Sequence, residues 1–341
     1  MRFAIPTDVP VSGWSNCAQN LVLELNKLPS LPDSITVHAI NNNNFGPLYE
    51  YERTKVNLGI GFWENDLLAE KVAGNLSRFD WTIWGSSWNA NLLKSWGVEN
   101  CSVMIQGVNH DIFRPTPQPA REGFTVGSWG KFEHRKGHDI IIAAMSIFMQ
   151  RHSDVYFHCG WYNLWGALID TMAWSPYIIF AKQGNCLDTI QTTLRLNGLP
   201  PDRCAVHPIV ENRRTADFYR DTDIAVFANR AEGGTNLPLM ECASCGIPIV
   251  APFTTGHQDV LVPGGFLEVE TIGTRRWPPT EEQIAEWPEP SVESVLEQLE
   301  YAYDNSEDLQ RMAALASENV NRFTWEAAAK TIWDKAREYA R

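Results

Sequence analysis

Basic residues are in short supply. Against 41 Asp and Glu the chain sets only 28 Lys and Arg, a net charge of −13 over 341 residues. A nucleic-acid binder needs a basic footprint, and a polybasic membrane anchor needs clustered cations, so neither is expected. Long apolar runs are missing too. No stretch approaches the roughly 18 residues of a membrane span, and no transmembrane segment is expected. The opening MRFAIPTDVP lacks the charged-then-apolar pattern of a secretory leader. Cysteine is sparse and odd in number, seven in all, which argues against a disulfide framework. A cytoplasmic location is the expectation.

Aromatic rings, by contrast, are plentiful: 14 Trp, 9 Tyr and 15 Phe. Most must pack in cores, but some would suit a cleft for sugars or other flat apolar faces. The 44% apolar content is that of a globular protein. At about 150 residues per domain the length predicts two.

Short apolar runs alternate with amphipathic stretches. Strands are expected at Arg2–Pro6, Ile35–Ile40, Val56–Phe62, Trp81–Gly85 and Cys101–Ile105, with helices at Asn16–Leu28, about Leu67–Leu76 and near Asn89–Trp96. This alternation predicts a parallel sheet with helices on both faces. Three prolines in Arg114–Pro119 allow neither a helix nor a central strand, so the stretch reads as a linker. Beyond it the alternation restarts: FTVGS, a helix from about His138 to Gln150, then Val155–Gly160, Cys204–Val210, Asp223–Ala228 and Ile247–Pro252. Arg275–Pro290, with four prolines and two Trp, reads as a loop, and the chain is helical from about Ser291. The expected architecture is α/β, two doubly wound parallel-sheet domains facing a cleft. Its divisions are residues 1–115, a linker at 116–122, residues 123–320, and a C-terminal helix at 321–341 packing near the hinge.

Two segments carry chemistry. Ala231–Glu241, AEGGTNLPLME, joins a strand to a helix. Two glycines let backbone approach a ligand, and the new helix offers unpaired N–H groups and a positive dipole end to an anion. The other is Gly127–Asp139, with Lys131, Arg135 and Lys136 within six residues. An acidic chain that binds an anion must concentrate cations locally, and lysine neutralises a diphosphate as a point charge.

These segments resemble the family 4 glycosyltransferases, which have the GT-B fold. GKFEHRKG at Gly130–Gly137 is similar to the family's GR-x-x-x-x-KG segment, with Lys131 at the arginine position. Ala231–Pro252 is similar to its glutamate-pair motif with the following helix and strand. GVNHDIFRP at Gly107–Pro115 and FTWEAAAKTIW at Phe323–Trp333 resemble its interdomain and closing segments. The resemblance implies transfer of a sugar from a nucleotide-diphosphate donor to a hydroxyl acceptor with retention of configuration. Glycan, lipid-linked and small-molecule acceptors are all open. Lys131 and Lys136 would hold the leaving diphosphate, and Glu232 would contact the donor sugar. Gly233, Gly234, Thr235, Asn236 and Leu237 would face sugar and phosphate, and Glu241 would hold the ribose hydroxyls. Gly13, with Ser12 and Ser15 beside it, would approach the donor phosphates, and His257 the base or sugar. Glu64, in GFWEND, would serve acceptor binding or acid–base work from the first domain. Eight residues separate Glu232 from Glu241 where the family has seven, and the first domain is short for the family.

No cofactor is expected, since the nucleotide sugar is a substrate. Nor is a metal, because the two lysines would neutralise the diphosphate and no carboxylate clamp is read from the sequence. A nucleotide-sugar epimerase on the same fold and a non-catalytic sugar- or nucleotide-binding protein stand as the alternatives. His110 reads as a structural hinge residue, and Cys242 and Cys245 as packing.

Overall fold

The computed structural model describes residues 1–7, 13–42, 44–49, 53–67, 73–116 and 122–340. Ser12 and residues 117–121 of the expected linker lie outside the described residues, as do residues 68–72 of the expected second helix. No helix among the described residues is long and apolar enough to cross a membrane.

The first sheet is parallel and contains β1 (Arg2–Ala4), β2 (Ile35–Ala39), β3 (Val56–Gly61), β4 (Trp81–Trp84) and β5 (Cys101–Val103). Its strands β2 and β3 are buried throughout, as a sheet covered on both faces requires. Neighbouring residues on β4 point to opposite faces: Ile83 joins one apolar cluster and Trp84 another. Helix Gly13–Leu25 and the C-terminal helix Trp325–Tyr339 contribute to the first cluster. A 3₁₀ turn at Ala73–Arg78 and helix Ser87–Ser95 contribute to the second. The strand order is β1-β2-β3-β4-β5, which follows the chain without reversal.

Reversal is confined to the second sheet. It holds β6 (Phe124–Lys131), β7 (Val155–Tyr162), β8 (Cys204–Val206), β9 (Ile224–Val226), β10 (Ile249–Ala251) and β11 (Leu267–Glu268), in the order β11-β10-β9-β6-β7-β8. The chain runs outward from β6 to β8, then returns to β9 and runs the other way. Ligands in such sheets bind outside the carboxyl ends of the strands at the point of reversal, here between β6 and β9.

Arg275–Pro290 is not the expected loop. Residues Thr271–Trp277 and Ala285–Pro290 form an antiparallel ribbon, β12 and β13, with Arg276 opposite Glu286 and Trp277 opposite Ala285. A two-stranded ribbon has only edges, so Pro288 and Pro290 need donate no ladder hydrogen bond.

The chain finally crosses back to the first domain. A bridge pairs Val108 with Thr324, and a Cβ on Gly107 would lie 2.1 Å from the Trp325 nitrogen, so this crossing requires glycine. His110 holds the junction, one ring nitrogen 2.9 Å from Ser244 Oγ and the other 3.1 Å from Phe323 O. From there helix Trp325–Tyr339 buries Ala328, Ala329, Ile332 and Ala336 beside helix Gly13–Leu25.

Candidate active site

A cavity of about 600 Å³ lies between the two domains, at the size ligand pockets typically have. The carboxyl end of β6 delivers Lys131 to its lining. The chain then makes a tight turn, His134–Lys136, which ends at Gly137 with φ +66°. A Cβ there would lie 1.7 Å from Ala228 O, so only glycine lets the basic turn pack against the segment leaving β9.

That packing assembles a charge cluster. Lys136 Nζ donates to Glu232 Oε1, as does Asn229 Nδ2. Arg135 Nη1 lies 3.3 Å from Glu232 Oε2 and 3.7 Å from Glu64 Oε1, and its Nη2 donates to Glu133 Oε1 at 2.6 Å. Burial pushes the Glu232 carboxyl up, but Lys136 and Arg135 outweigh it and bring it to about 2. Glu64, from the other domain, goes the opposite way: burial raises it, and Arg135 offsets this only in part. Lys131 lies with its Nζ 4.9 Å from the centre of the Trp165 ring, and its charge helps to lower the Glu64 and Glu133 carboxyls.

Beneath the cluster Arg230 is fully buried. It forms paired hydrogen bonds with Asp139 (2.8 and 2.9 Å) and Glu289 (2.8 and 2.9 Å), and donates to His134 O at 2.6 Å. Its backbone N–H donates to Arg135 O at 2.9 Å. One side chain thus ties the basic turn, the following helix and ribbon strand β13 to the start of the glycine loop.

The glycine loop is pressed against the first domain. A Cβ on Gly233 would lie 2.4 Å from the Trp63 nitrogen, and one on Gly234 would lie 2.7 Å from Gln106 Oε1. Gly234, Asn236 and Leu237 line the cavity, while Gly233 and Thr235 lie outside its described lining. Gly233 O instead accepts from Ser86 Oγ at 2.8 Å, and Thr235 Oγ1 contacts Met240 Sδ. Asn236 opens helix Leu237–Ser244 at φ +63°, a left-handed geometry that asparagine tolerates. Its Nδ2 lies 3.2 Å from His257 Nε2, and His257 Nδ1 lies 3.1 Å from Pro252 O. Bonding to a carbonyl on one side and an amide N–H on the other fixes His257 as neutral, with Nδ1 protonated. Burial lowers it to about 4. His257 is wholly buried outside the cavity lining, where it orients Asn236.

Glu241 lines the cavity and is buried. Asn212 Nδ2 donates to its Oε1 at 2.7 Å and Tyr219 Oη to its Oε2 at 2.8 Å. Burial raises its carboxyl to about 7, more than these two bonds lower it. Gly13 lines the cavity at the start of its helix, with nothing within 4 Å of where a Cβ would stand.

Sequence reading missed Arg135 and Arg230 as site residues. The signal for Arg135 was its place in the basic turn; Arg230 beside Glu232 offered none. Reading no carboxylate clamp also passed over one Asp-x-Asp spacing, Asp221-Thr222-Asp223. It stands at the amino end of β9, away from the cleft, where Asp223 Oδ2 accepts from Thr125 N at 2.7 Å. Among the described residues no group of three or more His, Cys, Asp and Glu is placed to hold a metal ion. Cys242 and Cys245 are buried free thiols in an apolar cluster.

Residues 167–334 match a family described as glycosyl transferase-like. The lipopolysaccharide core biosynthesis mannosyltransferase LpsB of Rhizobium meliloti is 26% identical over 182 residues, 50% of this chain and 45% of that protein. The chain thus spans less than half the length of the curated relatives it matches. Sucrose-phosphate synthase from Thermosynechococcus elongatus superposes with a TM-score of 0.63 at 17% identity, covering 84% of this chain and 69% of that one. HepE of Anabaena, solved with UDP and glucose, gives 0.62 at 14% identity, covering 82% and 71%. The fold is therefore that of the GT-B glycosyltransferases, two α/β domains with parallel sheets, and the comparisons support a glycosyltransferase family.

Proposed function

We propose that this chain, with a GT-B fold and a second half that matches a glycosyltransferase family, transfers a sugar from a nucleoside-diphosphate donor to a hydroxyl acceptor with retention. The observation that carries this reading is the pairing of Lys136 and Arg135 with Glu232 at the carboxyl ends of β6 and β9, facing the interdomain cavity. Breaking the sugar–phosphate bond builds negative charge on the leaving diphosphate. Cations already fixed in place stabilise that charge without reorganising. Lys131, Lys136 and Arg135 serve this role, and Gly13 and Gly234 let backbone come close to the phosphates. Glu232 carries the counter-charge that keeps Lys136 and Arg135 placed before the donor arrives. Glu241 accepts from the ribose hydroxyls. Asn236, held by His257, faces the donor sugar, and Glu64 faces the acceptor. No metal is required, because the diphosphate meets three cations.

The test is release of nucleotide from UDP-, GDP- and ADP-sugars without acceptor. UDP-glucose and GDP-mannose come first, given HepE solved with UDP and glucose and the mannosyltransferase relative. Slow release from one donor is expected, undiminished by chelator. Failure of every donor to bind would overturn the reading, and interconversion of the donor sugar without transfer would favour an epimerase.

A further inference from the structure

The two walls of the cavity differ in chemistry. Lys131, Arg135 and Lys136 stand on the second-domain side, whereas the described first-domain lining presents no cation. It presents Trp14, Asn16, Gln19, Asn42 and Gln106, with Glu64 as its one charged group. We propose that this first-domain wall is a subsite for a neutral saccharide that supplies the acceptor hydroxyl. The proposal rests on the donor reading above.

A sugar hydroxyl both donates and accepts, and a carboxamide offers a donor and an acceptor at fixed positions without adding charge. Two of these amides are already oriented: Gln19 Nε2 donates to Thr7 O at 2.8 Å, and Asn16 Oδ1 accepts from Asn20 Nδ2 at 3.0 Å. Trp14 is held edge-on to Phe62, ring centres 5.0 Å apart at 89°, and remains partly exposed. A ring so fixed offers a flat apolar face to the C–H face of a pyranose and an N–H to its rim. An anionic acceptor would meet Glu64, and the cation nearest that carboxylate, Arg135, is already shared with Glu232 and Glu133, while this wall has no cation of its own among the described lining. The amino end of helix Gly13–Leu25 favours anions, but on the donor reading it faces the diphosphate. An alkyl chain would strip water from the amides without replacing their hydrogen bonds.

The test is retention of the protein on printed arrays of neutral and acidic glycans, saturated with whichever of UDP, GDP or ADP it binds by calorimetry. Retention on neutral glycans is expected. Asn42→Ala and Gln19→Ala should each weaken it about fivefold, as one lost hydrogen bond does, with little change in nucleotide Kd. Trp14→Ala should weaken it further, and the two amide variants keep the test decisive if that variant fails to fold. Retention on acidic glycans instead, no retention of nucleotide-loaded protein, or indifference to both amide substitutions would overturn the proposal. A wild-type protein that binds none of the three nucleotides would sink the donor reading first, and this subsite with it.

Discussion

At Lys136 one ammonium group answers for much of the proposed chemistry, since on that proposal it meets the charge gathering on the leaving diphosphate. Lys136→Ala is expected to lower turnover at least about 10-fold, or ~1.4 kcal/mol in the barrier; a wild-type rate in single-turnover measurements would remove it from that role. That Lys131 and Lys136 face the cleft was readable from a basic stretch between two glycines. That Arg135, not Lys131, shares Glu232 with Lys136 was not readable, because three cations in a row of six residues do not reveal which carboxylates fold onto them. Glu64 lies 71 positions before Arg135 in the chain and reaches it only across the domain boundary. Glu241 makes a second residue-scale prediction. Its folded carboxyl titrates near 7, above the ordinary carboxylate range. In that window the folded chain keeps a proton that the unfolded chain has lost, so this group's contribution to stability falls as pH rises toward and through 7. Glutamine cannot ionise, and the Tyr219 hydroxyl and Asn212 amide can each turn to suit it. Glu241→Gln should therefore melt above wild type at about pH 8, the gap closing near pH 5 where the wild-type carboxyl is already protonated. Thermal scans at both pH values check it, and a gap that widens on acidification would contradict the assignment.

Gly137 shows what an element boundary depends on. It ends the basic turn, begins helix His138–Arg151 and touches Ala228 O, so a side chain there meets both a left-handed φ and a backbone atom that cannot step aside. Gly97 has a left-handed φ too, +79°, but nothing within 4 Å of its Cβ position. Gly97→Ala is expected to cost about 1 kcal/mol, the strain alone, and Gly137→Ala at least about twice that. Urea midpoints at unchanged slope would measure both, and equal losses would mean that the contact with Ala228 relaxes freely. Most strands and helices lay where their apolar runs put them, shifted by a few residues at the ends. Ribbon β12–β13 escaped notice because its prolines rule out only a central strand. Strand order was hidden as well: continuous apolar runs such as Val56–Gly61 announce burial on both faces but not which strand lies alongside.

Across the whole molecule the two halves are joined by bonds that no local pattern announces. Asp259, from the second domain, accepts from Ser87 N at 2.6 Å and Ser87 Oγ at 2.5 Å, capping a helix in the first. Next to it Ser86 donates to Gly233 O, and Asn89 exchanges hydrogen bonds with the Trp63 backbone at 2.8 and 2.6 Å. The amino end of helix Ser87–Ser95 thus grips the glycine loop and the segment carrying Glu64 together. Ribbon strand β13 adds Glu286 N to Asp66 Oδ1 at 2.7 Å and Trp287 Nε1 to Glu64 O at 2.6 Å. If Asp259 holds the cleft closed, removing its carboxylate shifts the population toward a more open arrangement, and a ligand that binds only the closed form loses affinity in proportion. Asp259→Ala should therefore lose about 1 kcal/mol of stability, as a missing helix cap does, and show a larger radius of gyration in solution scattering. Saturating nucleotide should restore the wild-type radius, because binding returns the free energy that the cap supplied. An unchanged scattering curve together with unchanged nucleotide affinity would assign closure to the ribbon contacts instead, and Asp66→Ala would then be the variant that opens the cleft.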